Sequence, residues 1–313
     1  MSRRRWIARA AAVLAVLALS ACRGAPGVLG DRPTTSRSAR LTVGGARFTE
    51  MQIMEALYGQ LLTAAGYEVD YKSADRREAY VASLESGEVD VVPEYAATFA
   101  EYLNGRANGP QAATIATSDA AATVAAMRPL AAKAGLTVLQ PAPAADQTGY
   151  AVATTFAAAH RITALSQLAA VKPSVVLAAT AACARRPLCQ PGLERTYGLQ
   201  VSKLLPLGFG SPQAKQAVLA GRADLALVAT TDATLHQQGL TLLADDKKLQ
   251  LADNLVPVVN TASAGTAEVA DVLNPLSGVL TTQDLALLNL QVDGQQRKPE
   301  DVAKAYLTAK GLL

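Results

Sequence analysis

Residues 41–71 read LTVGGARFTEMQIMEALYGQLLTAAGYEVDY, and this stretch decides the fold class. Leu41 to Gly44 alternate in strand fashion and are followed by a Gly44-Gly45 turn. From Glu50 to Ala65 the apolar residues Ile53, Leu57 and Leu61 recur at i, i+4 and i+8, the period of an amphipathic helix. Thr49 with Gln52 fits a capping box, and Gly66 suits the position just past the helix end. Tyr67 to Tyr71 forms a second strand. A strand–helix–strand opening implies an α/β protein with a parallel sheet, whose functional loops gather at the carboxyl ends of the strands.

Beyond this stretch, LESGEVDVV at 84–92 is echoed by LAGRADLAL at 219–227. Each reads as a helix stopped by a left-handed glycine, Gly87 or Gly221, then a buried strand starting near Asp90 or Asp224. The echo implies two similar lobes, although shared local grammar gives the same pattern. Between the echoes lie a helical Ala/Thr-rich stretch from Gln111 to Gly135, a strand at Leu136 to Leu139, and PAPAAD at 141–146, a candidate crossover. The second lobe then contains strands at Tyr150 to Ala153 and Val175 to Ala178. The strand at Leu255 to Val259 returns to the first lobe, and helices follow near 266–278, 282–290 and 299–309, the last with Pro299 in its first turn. Lobe 1 is thus 41–145 plus 247–313, and lobe 2 is 146–246. Two lobes on two crossovers make a clam that hinges around a ligand, the type II architecture of periplasmic binding proteins.

The chain start carries a different signal. Arg3 to Arg5 precede an apolar run from Ile7 to Leu19, which has signal-peptide length and is short for a membrane span. The run ends in Leu19-Ser20-Ala21-Cys22, which resembles the lipobox of bacterial lipoproteins, with Cys22 as the lipidated residue of a 1–22 leader. Residues 23–40, rich in Gly, Pro, Ser, Thr and Arg, read as a flexible tether. The net charge of +3 includes Arg3, Arg4, Arg5 and Arg9, so subtracting those four leaves −1 for the rest. A near-neutral protein without a basic patch is not built for nucleic acid. Half of the residues are apolar, enough for a large core. In an oxidising compartment Cys183 and Cys189 read as a disulfide closing a short loop. His160 and His236 stand alone, so no metal site is expected.

Six segments, in order, resemble the substrate-binding proteins of osmoprotectant ABC importers of the glycine betaine/choline type: VGGARFTE at 43–50, GEVDVVPEYAAT at 87–98, TGYAVA at 148–153, CARRPLCQPGLERTYGL at 183–199, LADNLVPVVN at 251–260 and LTTQDLALLNLQVD at 280–293. The resemblance implies a monomeric, lipid-anchored protein on the extracytoplasmic side of the membrane. It would hold a quaternary ammonium compound without a cofactor and pass it to a permease and an ATPase on separate chains. A trimethylammonium group donates no hydrogen bond and is gripped by aromatic faces through cation–π attraction. Carried over by motif, Tyr95 and Tyr150 are the cage rings that meet across the cleft. Thr98 is a hydroxyl donor, and Arg186 clamps a carboxylate.

The departures from the family pattern concern the same cage. Two positions that are tyrosine in the resemblance are Ala229, ahead of Thr230, and Asp253. A lysine of the first-strand loop is Ala46, with Arg47 beside it. At about 0.5 to 2 kcal/mol per cation–π contact, losing two rings weakens binding by about 1 to 4 kcal/mol unless something compensates. Asp253 facing the cation would favour choline; Arg186 would favour the zwitterion glycine betaine. The thinned cage also leaves room for an uncharged polyol or a phenolic compound, and presentation of ligand to a sensor is a further reading. Structural readings stand beside these: Tyr95 as a strand-end cap, Tyr150 as a core aromatic, Arg186 as a solvated charge, Asp253 as a turn residue, and Glu50 as compensation for a helix dipole. Enzyme motifs are missing: there is no G-x-S-x-G, H-E-x-x-H, P-loop or dinucleotide fingerprint, and Asp245 with Asp246 reads as a solvated loop.

Overall fold

The computed structural model describes residues 39–313, so the expected leader, Cys22 and the expected tether up to residue 38 lie outside the described residues. Ten strands build two five-stranded sheets. In chain order the strands are β1 (Arg40–Ala46), β2 (Glu68–Ala74), β3 (Val91–Tyr95), β4 (Leu136–Val138), β5 (Thr148–Ala153), β6 (Ser174–Ala179), β7 (Gln200–Pro206), β8 (Leu225–Ala229), β9 (Leu240–Leu243) and β10 (Leu255–Asn260). The first sheet has the order β2-β1-β3-β10-β4 and the second β7-β6-β8-β5-β9.

The two sheets repeat one plan. β1 pairs in parallel with β2 and β3, as β6 does with β7 and β8, and the strand returning on the far side, β10 or β5, is antiparallel. The echoed aspartates hold equivalent places. Asp90 accepts the backbone N–H of Thr42 at 2.7 Å, and Asp224 accepts that of Val176 at 2.8 Å. Each returns its own N–H to the same residue's carbonyl. A short acid after a glycine thus sets where the central strand begins against its neighbour. Gly87 and Gly221 both take positive φ, as the helix-stop reading requires.

The helix Thr49–Ala64 forms where the apolar period places it, and buries Ile53, Leu57 and Leu61 beneath the first sheet. Its start differs from expectation. Phe48 is the N-cap, no side chain caps it, and the Thr49 hydroxyl instead donates to Asp293 at 2.6 Å. Gly44 and Gly45 do not turn the chain; both lie inside β1. A Cβ at Gly44 would sit 2.5 Å from the Lys72 carbonyl, and one at Gly45 2.7 Å from Met51, so these glycines let β2 and the helix approach closely. Arg40, the end of the expected tether, already belongs to β1 and pairs with Glu68 and Asp70. The Ala/Thr-rich stretch is helical only over Ala120–Lys133, capped by Asp119. Ahead of it, Glu101 holds the Ile115 and Ala116 N–H groups at 2.8 and 2.7 Å, which keeps that segment out of a helix.

No helix among the described residues is long and apolar enough to cross a membrane. Two segments join the sheets, 139–147 after β4 and 244–254 after β9. They run against each other. Ala145 and Asn254 form an antiparallel bridge, Leu255 donates to the Ala144 carbonyl at 2.9 Å, and Asp146 donates to the Asp253 carbonyl at 3.2 Å.

Glu55 is an unneutralised acid in the first core. It is 4 % exposed, its Oε1 has no partner, and Ser73 donates to its Oε2 at 2.7 Å. Burial pushes its pKa up to about 7. A carboxyl raised in the folded state lowers stability progressively as pH climbs from its unfolded value, 4.5, to about 7. Glu55→Gln should therefore gain on the order of 2 kcal/mol over the parent at pH 8 and almost nothing at pH 4. Urea unfolding at both pH values checks this, and an equal effect at the two would refute it.

Candidate functional site

Strand ends and crossovers converge on a cavity of about 500 Å³ between the sheets. The first lobe contributes Ala97, Thr98 and Glu101 from the first turns of the helix Ala96–Asn108. The crossovers contribute Asp146 and Gln147 on one side and Gln250, Leu251 and Asp253 on the other. The second lobe adds Arg186 to Cys189, Leu227 and Phe209.

Asp253 acts as a cap supplied from a distant segment. Its carboxylate accepts the Thr98 N–H at 2.9 Å and the Thr98 hydroxyl at 3.0 Å, in the first turn of a helix whose own N-cap, Tyr95, provides no side-chain bond. The positive end of the helix and the Asp253 charge stabilise each other. Burial nevertheless raises the Asp253 pKa, against the lowering effect of the Thr98 bonds and of nearby Arg77. Arg77 itself forks onto Glu94, with Nε–Oε1 and Nη2–Oε2 both 3.0 Å, and Tyr80 donates to the same carboxylate at 2.8 Å. This pair sets a rigid polar base under Thr98.

Asp146 closes the cavity from the other crossover. It accepts the Thr231 hydroxyl at 3.0 Å, while burial and the neighbouring charge of Glu50 push its pKa up to about 7. Glu50 stands in the first turn of the helix Thr49–Ala64, where the dipole reading puts it. It is buried in the first lobe, where Tyr95 donates to its Oε1 at 2.5 Å and Asn289 to its Oε2 at 2.6 Å.

Among the residues expected at the site, Thr98, Arg186 and Asp253 share the cavity. The two tyrosines do not meet across it. Tyr95, 7 % exposed, lies in the first core with its hydroxyl committed to Glu50. Tyr150, 1 % exposed, lies in the second core, its hydroxyl 3.5 Å from the Leu188 carbonyl. Each ring is drawn inward by its own sheet, and Tyr150 also borders a separate hollow of about 600 Å³ that shares Gln147, Thr148 and Gln250 with the cavity. Ala46 ends β1 and packs on the first lobe's apolar clusters, and exposed Arg47 pairs with Asp75 at 3.3 Å; neither lines the cavity. Ala229 lines an adjoining hollow of about 310 Å³ with Phe209 and Thr231. Thr230 ties the lobe to the hinge, accepting from the Gln147 N–H at 2.9 Å and donating to the Ala145 carbonyl at 3.1 Å.

Sequence reasoning missed Asp146, Glu101 and Phe209. Asp146 was legible as the last residue of a crossover, a position that must floor any cleft between the lobes. Phe209, one of only four phenylalanines, stands between two glycines, a pattern that displays a ring instead of burying it. Asp245 is likewise no idle loop acid: it accepts the Leu249 and Gln250 N–H groups at 2.8 and 2.7 Å and the Tyr197 hydroxyl, shaping the second crossover. Among the described residues no cluster of His, Cys, Asp and Glu could hold a metal ion.

Arg186 is presented by a loop that Cys183 and Cys189 close as a disulfide, with Cα atoms 5.2 Å apart. Both cysteines are buried in the second core, and Gln250 anchors the loop by donating to the Leu188 carbonyl at 2.9 Å. Replacing both cysteines by alanine should cost about 2 kcal/mol in thermal or urea unfolding, the value for a loop this short. Reduction with dithiothreitol should lower the parent's stability and leave the double variant unmoved.

Comparison with known proteins adds the following. A family model described as the substrate binding domain of ABC-type glycine betaine transport system matches residues 39–309. A glycine-betaine-binding protein of Pseudomonas aeruginosa is 26% identical over 283 residues, covering 89% of this chain and 90% of that protein. The carnitine transport binding protein OpuCC of Listeria monocytogenes is 27% identical over 120 residues, 36% of each chain. Among solved structures, apo YehZ from Escherichia coli superposes with a TM-score of 0.76 at 24% identity, covering 88% of this chain and all of that one. A protein described as a glycine betaine/carnitine/choline ABC transporter gives 0.73 at 19% identity, over 87% and 99% of the two chains. The fold is that of type II periplasmic binding proteins.

Proposed function

Because the chain belongs to the family of substrate-binding domains of ABC-type glycine betaine transport systems, we propose that it captures a quaternary ammonium solute, choline or glycine betaine, between its lobes. It is a transport binding protein and not an enzyme, and it works outside the cytoplasm with a permease and an ATPase, as the family does. The ligand reading is carried by one observation. Asp146 and Asp253, one from each crossover, line the same cavity of about 500 Å³, with Arg186 contributed by the second lobe. A quaternary ammonium offers charge without a hydrogen bond, so carboxylates in a sheltered cleft attract it directly. Thr98 and Arg186 then suit a hydroxyl or carboxylate at the other end of the solute. The curated relative named for glycine betaine and the one named for carnitine support the same chemical class.

A second reading follows from Tyr95 and Tyr150 standing away from the cavity: an uncharged polyol or a phenolic compound. Titration calorimetry with choline, glycine betaine, carnitine and proline betaine separates the two. Heat and a thermal shift with at least one of them are expected; silence with all four rejects the quaternary ammonium reading.

Protonation gives a finer test. With its pKa at about 7, Asp146 is largely neutral at pH 6 and ionised at pH 8, and it faces Glu50, Asp253 and Thr231. A cation prefers the ionised form. Its affinity should therefore rise up to about tenfold from pH 6 to pH 8, with proton release on binding. Asp146→Asn should flatten that dependence, and a parent profile that is already flat would exclude Asp146 from the site.

We also infer membrane attachment through Cys22, supported by the lipobox-like Leu19-Ser20-Ala21-Cys22. Cys22→Ser should move the exported protein from the detergent phase to the aqueous phase on Triton X-114 partition. An unchanged distribution would refute the anchor.

A further inference from the structure

Among the described residues, Phe209 is the only aromatic one lining either the cavity of about 500 Å³ or the adjoining hollow of about 310 Å³, and it lines both. The residue is 48 % exposed, in a chain whose aromatic content is only 4%. The loop that carries it is fixed at both ends. Leu207 and Gly208 donate their N–H groups to the Ala179 carbonyl at the end of β6, at 2.9 and 3.1 Å. Gly210 donates to the Leu227 carbonyl of β8 at 2.9 Å. Ser211 then caps the helix Pro212–Leu219 through the Ala214 N–H at 3.0 Å. Gly208 and Gly210 take φ of +99° and +58°, which a side chain at either position would resist. An apolar ring held outward at this cost in backbone freedom is not core packing. It stands in a cavity whose charged lining is three carboxylates, Glu101, Asp146 and Asp253, against one guanidinium, Arg186.

We propose that Phe209 is the specificity-determining aromatic wall of the cleft, and that with Asp146 and Asp253 it selects a quaternary ammonium of net positive charge over a zwitterion. This rests on the reading of the cleft as a quaternary ammonium site. The ring face attracts the trimethylammonium head by cation–π attraction, and the crossover carboxylates add the charge that a single ring lacks. Ala229 lines the same hollow as Phe209, so the ring takes up space that a larger residue at 229 would fill. Because the loop is preset by its backbone bonds, little ordering is required on binding.

The test is calorimetry on the full exported chain with three probes: choline, glycine betaine and 3,3-dimethylbutan-1-ol, the uncharged carbon analogue of choline. Choline should bind most tightly, and the analogue far more weakly. Phe209→Ala should weaken choline roughly two- to thirtyfold. Phe209→Leu, which keeps apolar bulk, should weaken it similarly, and Phe209→Trp should retain it. Unchanged melting temperatures would show that these exposed-loop variants fold. Parental affinity for choline in both Phe209→Ala and Phe209→Leu would overturn the role of the ring. Equal binding of choline and its uncharged analogue, or tighter binding of glycine betaine, would overturn the charge selection while leaving the quaternary ammonium reading intact. No binding of choline or glycine betaine by the parent would remove that reading itself, and this inference with it.

Discussion

Everything at the cleft depends on two chain segments lying antiparallel between the sheets. The backbone bonds joining 144–146 to 253–255 make the crossovers one narrow ribbon instead of two independent tethers. A ribbon of this kind resists sliding of one segment past the other yet bends out of its own plane, which is the motion a clam needs. It also decides what the cavity floor is made of. Ribbon residues have no sheet face to bury, so Asp146 and Asp253 can show polar side chains toward the gap. Their bonds to Thr231 in the second lobe and Thr98 in the first then tie the floor to both walls.

The second constraint is repeated in each lobe. Asp90 and Asp224 make the same two-way contact with the neighbouring strand, and so fix how far β3 and β8 extend toward the cleft. One residue of slip would turn every side chain of the strand to the opposite face. In β3 it would take Glu94 out of reach of Arg77, and with it the support beneath Thr98. The local grammar of helix, glycine, aspartate and strand is therefore a positioning device for the site, used twice.

Much of this was legible in the residues, and what was not has physical reasons. Helices at Ala267–Val279, Thr282–Asn289 and Pro299–Ala309 follow their apolar periods or first-turn proline. The edge strand β7 is mostly exposed and short β9 has too few residues to alternate, so neither leaves a pattern. The site was read only in part because spacing reports which residues share an element and not which way a ring turns. Tyr95 sits at the end of a strand bordering the cleft, yet a buried carboxylate 45 residues earlier claims its hydroxyl. Phe209 has no periodic partners at all; its exposure comes from the glycines on either side, which is torsional information carried by composition.

The strand order of the first sheet has a consequence for biogenesis. β10 lies between β3 and β4, yet it is the last strand of the chain to be made, following all five strands of the other sheet. A chain made amino-terminus first thus has every strand of the second sheet in hand while the first still has an open slot at its centre. Until residues 255–260 arrive, the edges of β3 and β4 carry unsatisfied backbone groups. Holding back that strand makes the end of the chain's synthesis the moment at which the first sheet can close.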